Sequence, residues 1–404
     1  MRPGLEDWLE PFLARLIHPA RREMCRLYVT GLIEREGGKN VHRMAARLGQ
    51  PSHDAMHHFI SSGSWDTGAL EAALAAEAGR QAGGPNSLLV IGEVVLPKKG
   101  TRSVGVAPQP VGAAGRILNC QVLVSLTLVR GVVPMPVGLR LFLPESWTGD
   151  SERMERARVP ENLRVPRSKA EIALAELDRV SSAGARFGCV LVDADYGASA
   201  EFREGMRARR LRWAVAVPGG ITALPVSAAP RSRPVMAGGR GEEGPRPIES
   251  MLAEAPWWQL TWQRRAEEWL PVEVAASFAA LRARLVEERA GPGEGPVRDL
   301  PGGQVWIIGE RRDGGEARHY ASNLPAGSSL RTLAGTVKGR WVAERALRLL
   351  GEELGLDDFE GRSWVGLHRH ALMSMLAYAF LQQEGLAGAR LQGAEGERPE
   401  ARPG

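Results

Sequence analysis

The sequence predicts a mixed α/β protein with a helical N-terminal domain, and three observations carry that expectation. Residues 5–80 follow a helical apolar period, with Trp8-Leu9 and Phe12-Leu13 on one stripe, and at Ser87 the period changes to extended, β-branched runs. Those runs come in hairpin order. Beyond them, amphipathic helices alternate with short apolar strands, the pattern of helices crossing between parallel strands.

Each element has its own signal. Residues 40–49 and 54–60 form two short amphipathic runs about Pro51-Ser52. They resemble a helix-turn-helix, although any small helical domain produces such pairs. Strands are expected at 88–95, 120–129 and 132–143, the last two joined by a turn at Arg130-Gly131. Pro134 and Pro136 make the third strand either interrupted or near an edge, because proline cannot donate to a ladder. Residues 168–182 read as a helix with Ser168 as N-cap and Glu171 three residues on, a capping box. A strand at 189–192, a helix at 199–209 and a strand at 212–217 follow. The stretch 218–303 turns rich in Pro, Gly and Arg, carries Trp257, Trp258, Trp262 and Trp269, and reads as an inserted subdomain. Strand character returns at 305–308 and near His319-Tyr320. Helices at 330–354 and 366–383 close the fold. The tryptophans pack the insertion or stack on an extruded base. Three antiparallel strands followed by alternating helices and parallel strands is the ribonuclease-H-like order. The expected domains are thus 1–85 (helical, a candidate DNA-binding domain), 86–217 and 304–385 (the two parts of the core), 218–303 (the insertion) and 386–404 (a disordered tail, low in apolar residues).

Composition narrows the function classes. The 404 residues carry 52 Lys+Arg against 47 Asp+Glu, a net charge of +5. This balance permits a nucleic-acid partner without establishing one. No run approaches the roughly 18 apolar residues of a membrane span, and the first residues lack a signal-peptide apolar region, so a cytoplasmic protein is expected. Cys25, Cys120 and Cys189 include no C-x-x-C pair, which argues against a disulfide framework or a cysteine zinc site. His57-His58 are adjacent and His368/His370 are two apart, so neither pair has metal-ligand spacing on a helix; both are expected at the surface or partly buried. No phosphate-binding Gly loop or nucleophile elbow is present.

The residues at the element ends are more specific. They read Gly92-Glu93-Val94-Val95-Leu96-Pro97-Lys98-Lys99-Gly100, then Ser103-Val104-Gly105-Val106-Ala107, Asn119-Cys120-Gln121 and Leu143-Pro144-Glu145-Ser146-Trp147. Further on come Asp193-Ala194-Asp195-Tyr196-Gly197, Arg340-Trp341-Val342-Ala343-Glu344, and a last run from Glu352 to Trp364 (EELGLDDFEGRSW). In this order they resemble the bacterial insertion-sequence transposases of the DDE superfamily, in particular the group whose first motif is D-D-T-G-F-P-K-K-G. The likeness runs from about residue 5 to 385, with a break in the insertion.

The resemblance implies a metal-dependent DNA strand cleavage and transfer reaction. Three carboxylates would hold two Mg²⁺ (or Mn²⁺) ions, about 3.5–4 Å apart, for in-line displacement at phosphorus. It assigns Asp193 and Glu344 as catalytic metal ligands, and duplex DNA with terminal inverted repeats as the partner of a protein acting as a homodimer, with no membrane role. By register the first metal-binding Asp is Gly92. Glu93 is its neighbour, but successive strand residues face opposite sides of a sheet, so its carboxylate is expected to point away unless a bulge turns it. Other departures agree: the family's Lys is Gly351, its Tyr is Val337, and the Arg after Ala107 is Pro108. The family's Arg persists as Arg340, a DNA-contact candidate. Asp195 adds a carboxylate, either a substitute ligand or a stray charge. Lys98 and Lys99 either contact phosphate or blunt a strand end. The sequence therefore reads as a transposase-family protein impaired at its first ligand; the alternative is a folded non-catalytic DNA-binding or interaction protein derived from one.

Overall fold

Apolar spacing folds the N-terminal residues into helices Leu5–Leu13, Pro19–Ile33, Val41–Arg47, Asp54–Ser61 and Gly68–Ala82. Pro19 opens the second at a position that needs no N–H donor. The Asn40 side chain caps the third by accepting the Arg43 N–H at 3.0 Å. The computed structural model describes residues 3–34, 37–112, 115–226, 244–265, 271–287, 298–299, 304–312 and 317–396. Two units compose the chain: Met1–Phe187 with Trp341–Gly404, and Gly188–Arg340.

In the first unit the expected hairpin strands form with one addition. Strand β1 (Leu88–Pro97) lies antiparallel to β3 (Arg116–Arg130), in unbroken register from Leu88↔Val129 to Pro97↔Cys120. The short strand β2 (Ala107–Val111) pairs with the start of β3, and β4 (Val133–Leu141) pairs with its second half. Gly131, at φ 61°, supplies the left-handed residue of the β3–β4 turn. The β3–β4 register slips between Leu126 and Thr127, opposite Gly138 and Pro136. That slip accommodates the prolines of β4.

Helix Lys169–Ser182 packs on β3 and β4, fixed at its start by the expected capping box of Ser168 and Glu171. Helix Trp364–Gly396 packs on β4 and on Pro19–Ile33. It runs past Gln383, the end expected from the sequence, into the stretch read as a tail; residues 397–404 lie outside the described residues. His368 and His370 lie inside this packing at 4% and 1% exposure, where the sequence placed them at or near the surface. Alternation alone could not show that this helix is covered on nearly all sides.

In the second unit β5 (Cys189–Val192) is parallel to β6 (Trp213–Val217), joined through helices Ala194–Ala198 and Ala200–Ala208. The remaining strands are β7 (Thr222–Pro225), β8 (Arg246–Pro247), β9 (Trp258–Arg265), β10 (Pro271–Glu287), β11 (Arg298–Asp299), β12 (Val305–Arg311) and β13 (Arg318–Ser322). Their order is β5-β6-β13-β12-β10-β7-β8, with β9 and β11 paired to β10. The stretch read as an insertion is thus continuous with the sheet. Its long strand β10 pairs with β12 from Ser277↔Arg311 to Ala283↔Val305. Ala223, Ile248, Leu252, Ala279, Ala283 and Ile307 share one core there. Trp257 packs against that core and Trp262 meets the Phe278 ring edge-on at 5.3 Å, whereas Trp258 is exposed. Trp269 lies outside the described residues.

The chain is therefore a mixed α/β protein. No helix among the described residues is long and apolar enough to cross a membrane. All three cysteines are free and buried.

Candidate active site

In the first unit, Gly92 and Glu93 sit in the unbroken part of β1, opposite Ser125 and Val124 of β3. With no bulge, their side-chain positions fall on opposite faces of the strand. The Glu93 carboxylate is held by the Lys169 ammonium, which lies 2.8 Å from each of its oxygens. Lys169 is the first residue after the Ser168 cap, so the capping box that starts the helix also sets the ammonium in place. The same Nζ lies 5.5 Å from the Phe142 ring centroid. The sequence reading missed Lys169, because no local pattern ties a helix start to a strand so far back in the chain.

Lys98 and Lys99 part company just beyond β1. Lys98 is half-buried and donates to the main-chain carbonyls of Phe359 at 3.0 Å and Asp357 at 3.4 Å. Burial holds its ammonium below the ordinary lysine range, with Asp357, Asp358 and Glu360 pulling the other way. Lys99 is exposed.

In the second unit, Asp193 follows β5 directly and stands at the N-cap of the short helix Ala194–Ala198. Its carboxylate forms an ion pair with Arg340 at 2.9 Å, both side chains being partly accessible. Arg340 thus reaches one of the two carboxylates that the motifs single out. Tyr196 is buried against the Phe202 ring. A Cβ on Gly197 would stand 1.8 Å from Cγ1 of Val215, so glycine is required for this helix to lie on β6. Asp195 is exposed. A buried group that the sequence did not reveal lies on β12: Glu310, 1% exposed, accepts the Tyr320 hydroxyl at 3.0 Å and pairs with Arg312 at 2.6 Å. Lys338 lies 4.9 Å from the Trp262 ring centroid, and burial pulls its ammonium down to about 8.

Glu344 lies on helix Leu330–Glu352 and is exposed, next to buried Ala343. The expected stripe of that helix holds at Ala343, Leu350 and Leu354, with Ala346 buried as well and Leu347 half-buried. Gly351, the family's Lys position, is closed in by Asp357, whose carboxylate oxygens would stand 2.9 and 3.1 Å from an added Cβ.

These residues do not fit a three-carboxylate site for paired divalent ions. Gly92 has no side chain to coordinate with, while the carboxylates of Glu93 and Asp193 each carry a cationic side chain. Among the described residues, no group of three or more His, Cys, Asp or Glu is placed to hold a metal ion.

The mixed α/β fold is compatible with the family that comparison to known proteins finds. The chain belongs to the DDE superfamily endonucleases, whose family model matches residues 11–277. The enzymes of that superfamily generally use divalent metal ions. Over 166 residues the chain is 28% identical to a protein of Microchaete diplosiphon described as a probable transposase for insertion sequence element IS701. That similarity covers 40% of this chain and 39% of the relative.

Proposed function

We propose that this protein is an insertion-sequence transposase that binds duplex DNA at the terminal inverted repeats of its element but has lost strand cleavage, wholly or nearly so. Family membership and the similarity to a transposase support the DNA reading. Position 92 carries the second half: the residue that should supply the first metal ligand is glycine, and the adjacent carboxylate is taken by Lys169. A ribonuclease-H-like core in two parts, 86–217 and 304–385, preceded by a helical DNA-binding domain, is the organisation this reading assumes. Acting as a homodimer on paired ends, the protein would be cytoplasmic and nucleoid-bound when engaged.

In an active relative, Mg²⁺ or Mn²⁺ would supply Lewis-acid stabilisation of the charge that develops at phosphorus. Here Asp193 and Glu344 are the residues left to serve as ligands. Arg340 neutralises Asp193 and orients its carboxylate, while Lys169 neutralises Glu93. A guanidinium at a carboxylate competes directly with a metal ion for the same oxygens.

The test is cleavage of a terminal-repeat duplex with Mg²⁺ or Mn²⁺ by three proteins: the natural sequence, Gly92→Asp, and Gly92→Asp with Asp193→Ala. The natural protein should bind without cutting. Gly92→Asp should cut, and the double variant should not. Equal cutting by the natural protein and Gly92→Asp would overturn the loss of cleavage. Failure of the natural protein to bind duplex DNA would overturn the DNA reading.

A further inference from the structure

Two segments of the first unit, residues 97–103 after β1 and 357–362 ahead of the last helix, line an open groove of about 800 Å³. Its walls are pinned together. The Val104 N–H donates to the Arg362 carbonyl at 3.2 Å, and the Lys98 ammonium donates to the Phe359 carbonyl at 3.0 Å. Three carboxylates, Asp357, Asp358 and Glu360, line the groove with four cations, Lys98, Lys99, Arg102 and Arg362. Asp358 accepts the Lys39 N–H at 2.7 Å and Glu360 the Asn40 amide at 3.4 Å. Burial raises the Asp357 carboxyl, with Lys98 opposing.

Lys99, Arg102 and Arg362 remain. All three line the groove and are exposed, and among the described residues their side chains form no hydrogen bond or ion pair. Other arginines of this unit are tied down: Arg140 and Arg179 by carboxylates, Arg153 by the Thr101 carbonyl and the Trp147 ring. Three unpaired cations converging on one open groove from two segments match a string of phosphates better than a single ion. Such cations supply the sequence-independent part of DNA affinity by displacing condensed counterions.

We propose that this groove binds the sugar–phosphate backbone of duplex DNA through Lys99, Arg102 and Arg362, while Lys98 shapes the wall and does not touch DNA. The proposal rests on the DNA-binding reading above and names a surface for it. Gly100, with open space where a Cβ would stand, keeps the rim clear for close approach.

The experiment is a salt titration of the full chain's affinity for a random-sequence duplex, read by fluorescence anisotropy. One variant carries Lys99→Gln, Arg102→Gln and Arg362→Gln. A control loses equal charge from exposed sites off the groove, as Arg116→Gln, Arg130→Gln and Arg331→Gln. Thermal unfolding of each confirms the fold. The groove variant should flatten the slope of log K against log salt by about 2–3, at about 0.9 for each phosphate that is no longer neutralised. The control should leave the slope unchanged. Binding by the natural chain with an unchanged slope in the groove variant, or an equal loss in the control, overturns this inference alone. No binding by the natural chain overturns both this inference and the DNA reading.

Discussion

Two clusters of charge in the first unit handle the same residue types in opposite ways. Between helices Gly68–Ala82 and Lys169–Ser182 and strand β4, Arg140 lies 3.0 Å from Glu71 and 2.9 Å from Glu176, and Arg179 lies 2.8 Å from Glu176. These side chains are mostly buried, and the two carboxylates are answered by two guanidiniums. In the groove beside residues 97–103, three cations face solvent with no partner among the described residues. Burial makes pairing compulsory, because an uncompensated charge in the interior costs several kcal/mol. Exposure removes that compulsion and leaves the cation available to another molecule. The cluster is therefore architecture, and the groove is a surface for a partner.

The largest expected effect comes from breaking the buried cluster. Arg140→Met leaves Glu71 and Glu176 facing each other and should cost about 3–5 kcal/mol in urea unfolding. Adding Glu71→Leu, Glu176→Met and Arg179→Met should recover much of that loss, since an apolar replacement of a whole buried network is often tolerated. Acid should act along the same path. Burial pushes the Glu176 carboxyl up, but Arg140 and Arg179 overcome it and hold it down to about 2. The stability this contributes is complete above the ordinary glutamate range and disappears as pH falls from there towards 2.

A smaller effect separates a third solution to burial, neutrality. His368 donates its Nδ1–H to the Trp364 carbonyl at 2.8 Å, and His370 donates its Nε2–H to the Gly355 carbonyl at 2.7 Å. Burial pushes both imidazoles down to about 4, with Arg140 adding to it at His368 and Lys98 at His370. Their folded values lie below the unfolded one, so the unfolded chain binds more protons between about pH 6.5 and 4. Stability should fall as pH falls through that window, by at most about 1.4 kcal/mol per pH unit for each histidine. His370→Gln should flatten the dependence of the urea midpoint on pH; an unchanged slope would show that His370 is not the titrating group.

The smallest effect tests Asp357, which lines the groove. Gly351→Ala should gain about 0.5–1 kcal/mol from helix propensity, provided Asp357 swings its carboxylate aside. A loss on thermal unfolding would mean that Asp357 is held where it is, which would sharpen the contrast between a fixed carboxylate and the exposed cations of the groove.

Much of the fold was legible because its signals are local. The change of period at Ser87, the turn at Gly131, the capping box at Ser168 and the strand ending at Val192 are each written within a few residues. β10 was missed because the Pro- and Gly-rich stretches on either side dominate the composition, although Phe278, Ala279 and Ala283 are core residues. Part of the site was legible for the same local reason: strand alternation alone puts Glu93 on the opposite face from Gly92, and the unbroken β1–β3 register keeps it there.

The sequence by itself determined which residues stand at the motif positions, including the glycine at 92, and the elements that carry them. Only the tertiary structure decided their partners: Lys169 on Glu93, Arg340 on Asp193, and the carbonyls of residues 357 and 359 on Lys98. Secondary structure follows from dihedral preference and apolar spacing over a few residues. An ion pair between distant segments depends on how whole elements pack, and no short stretch of sequence records that.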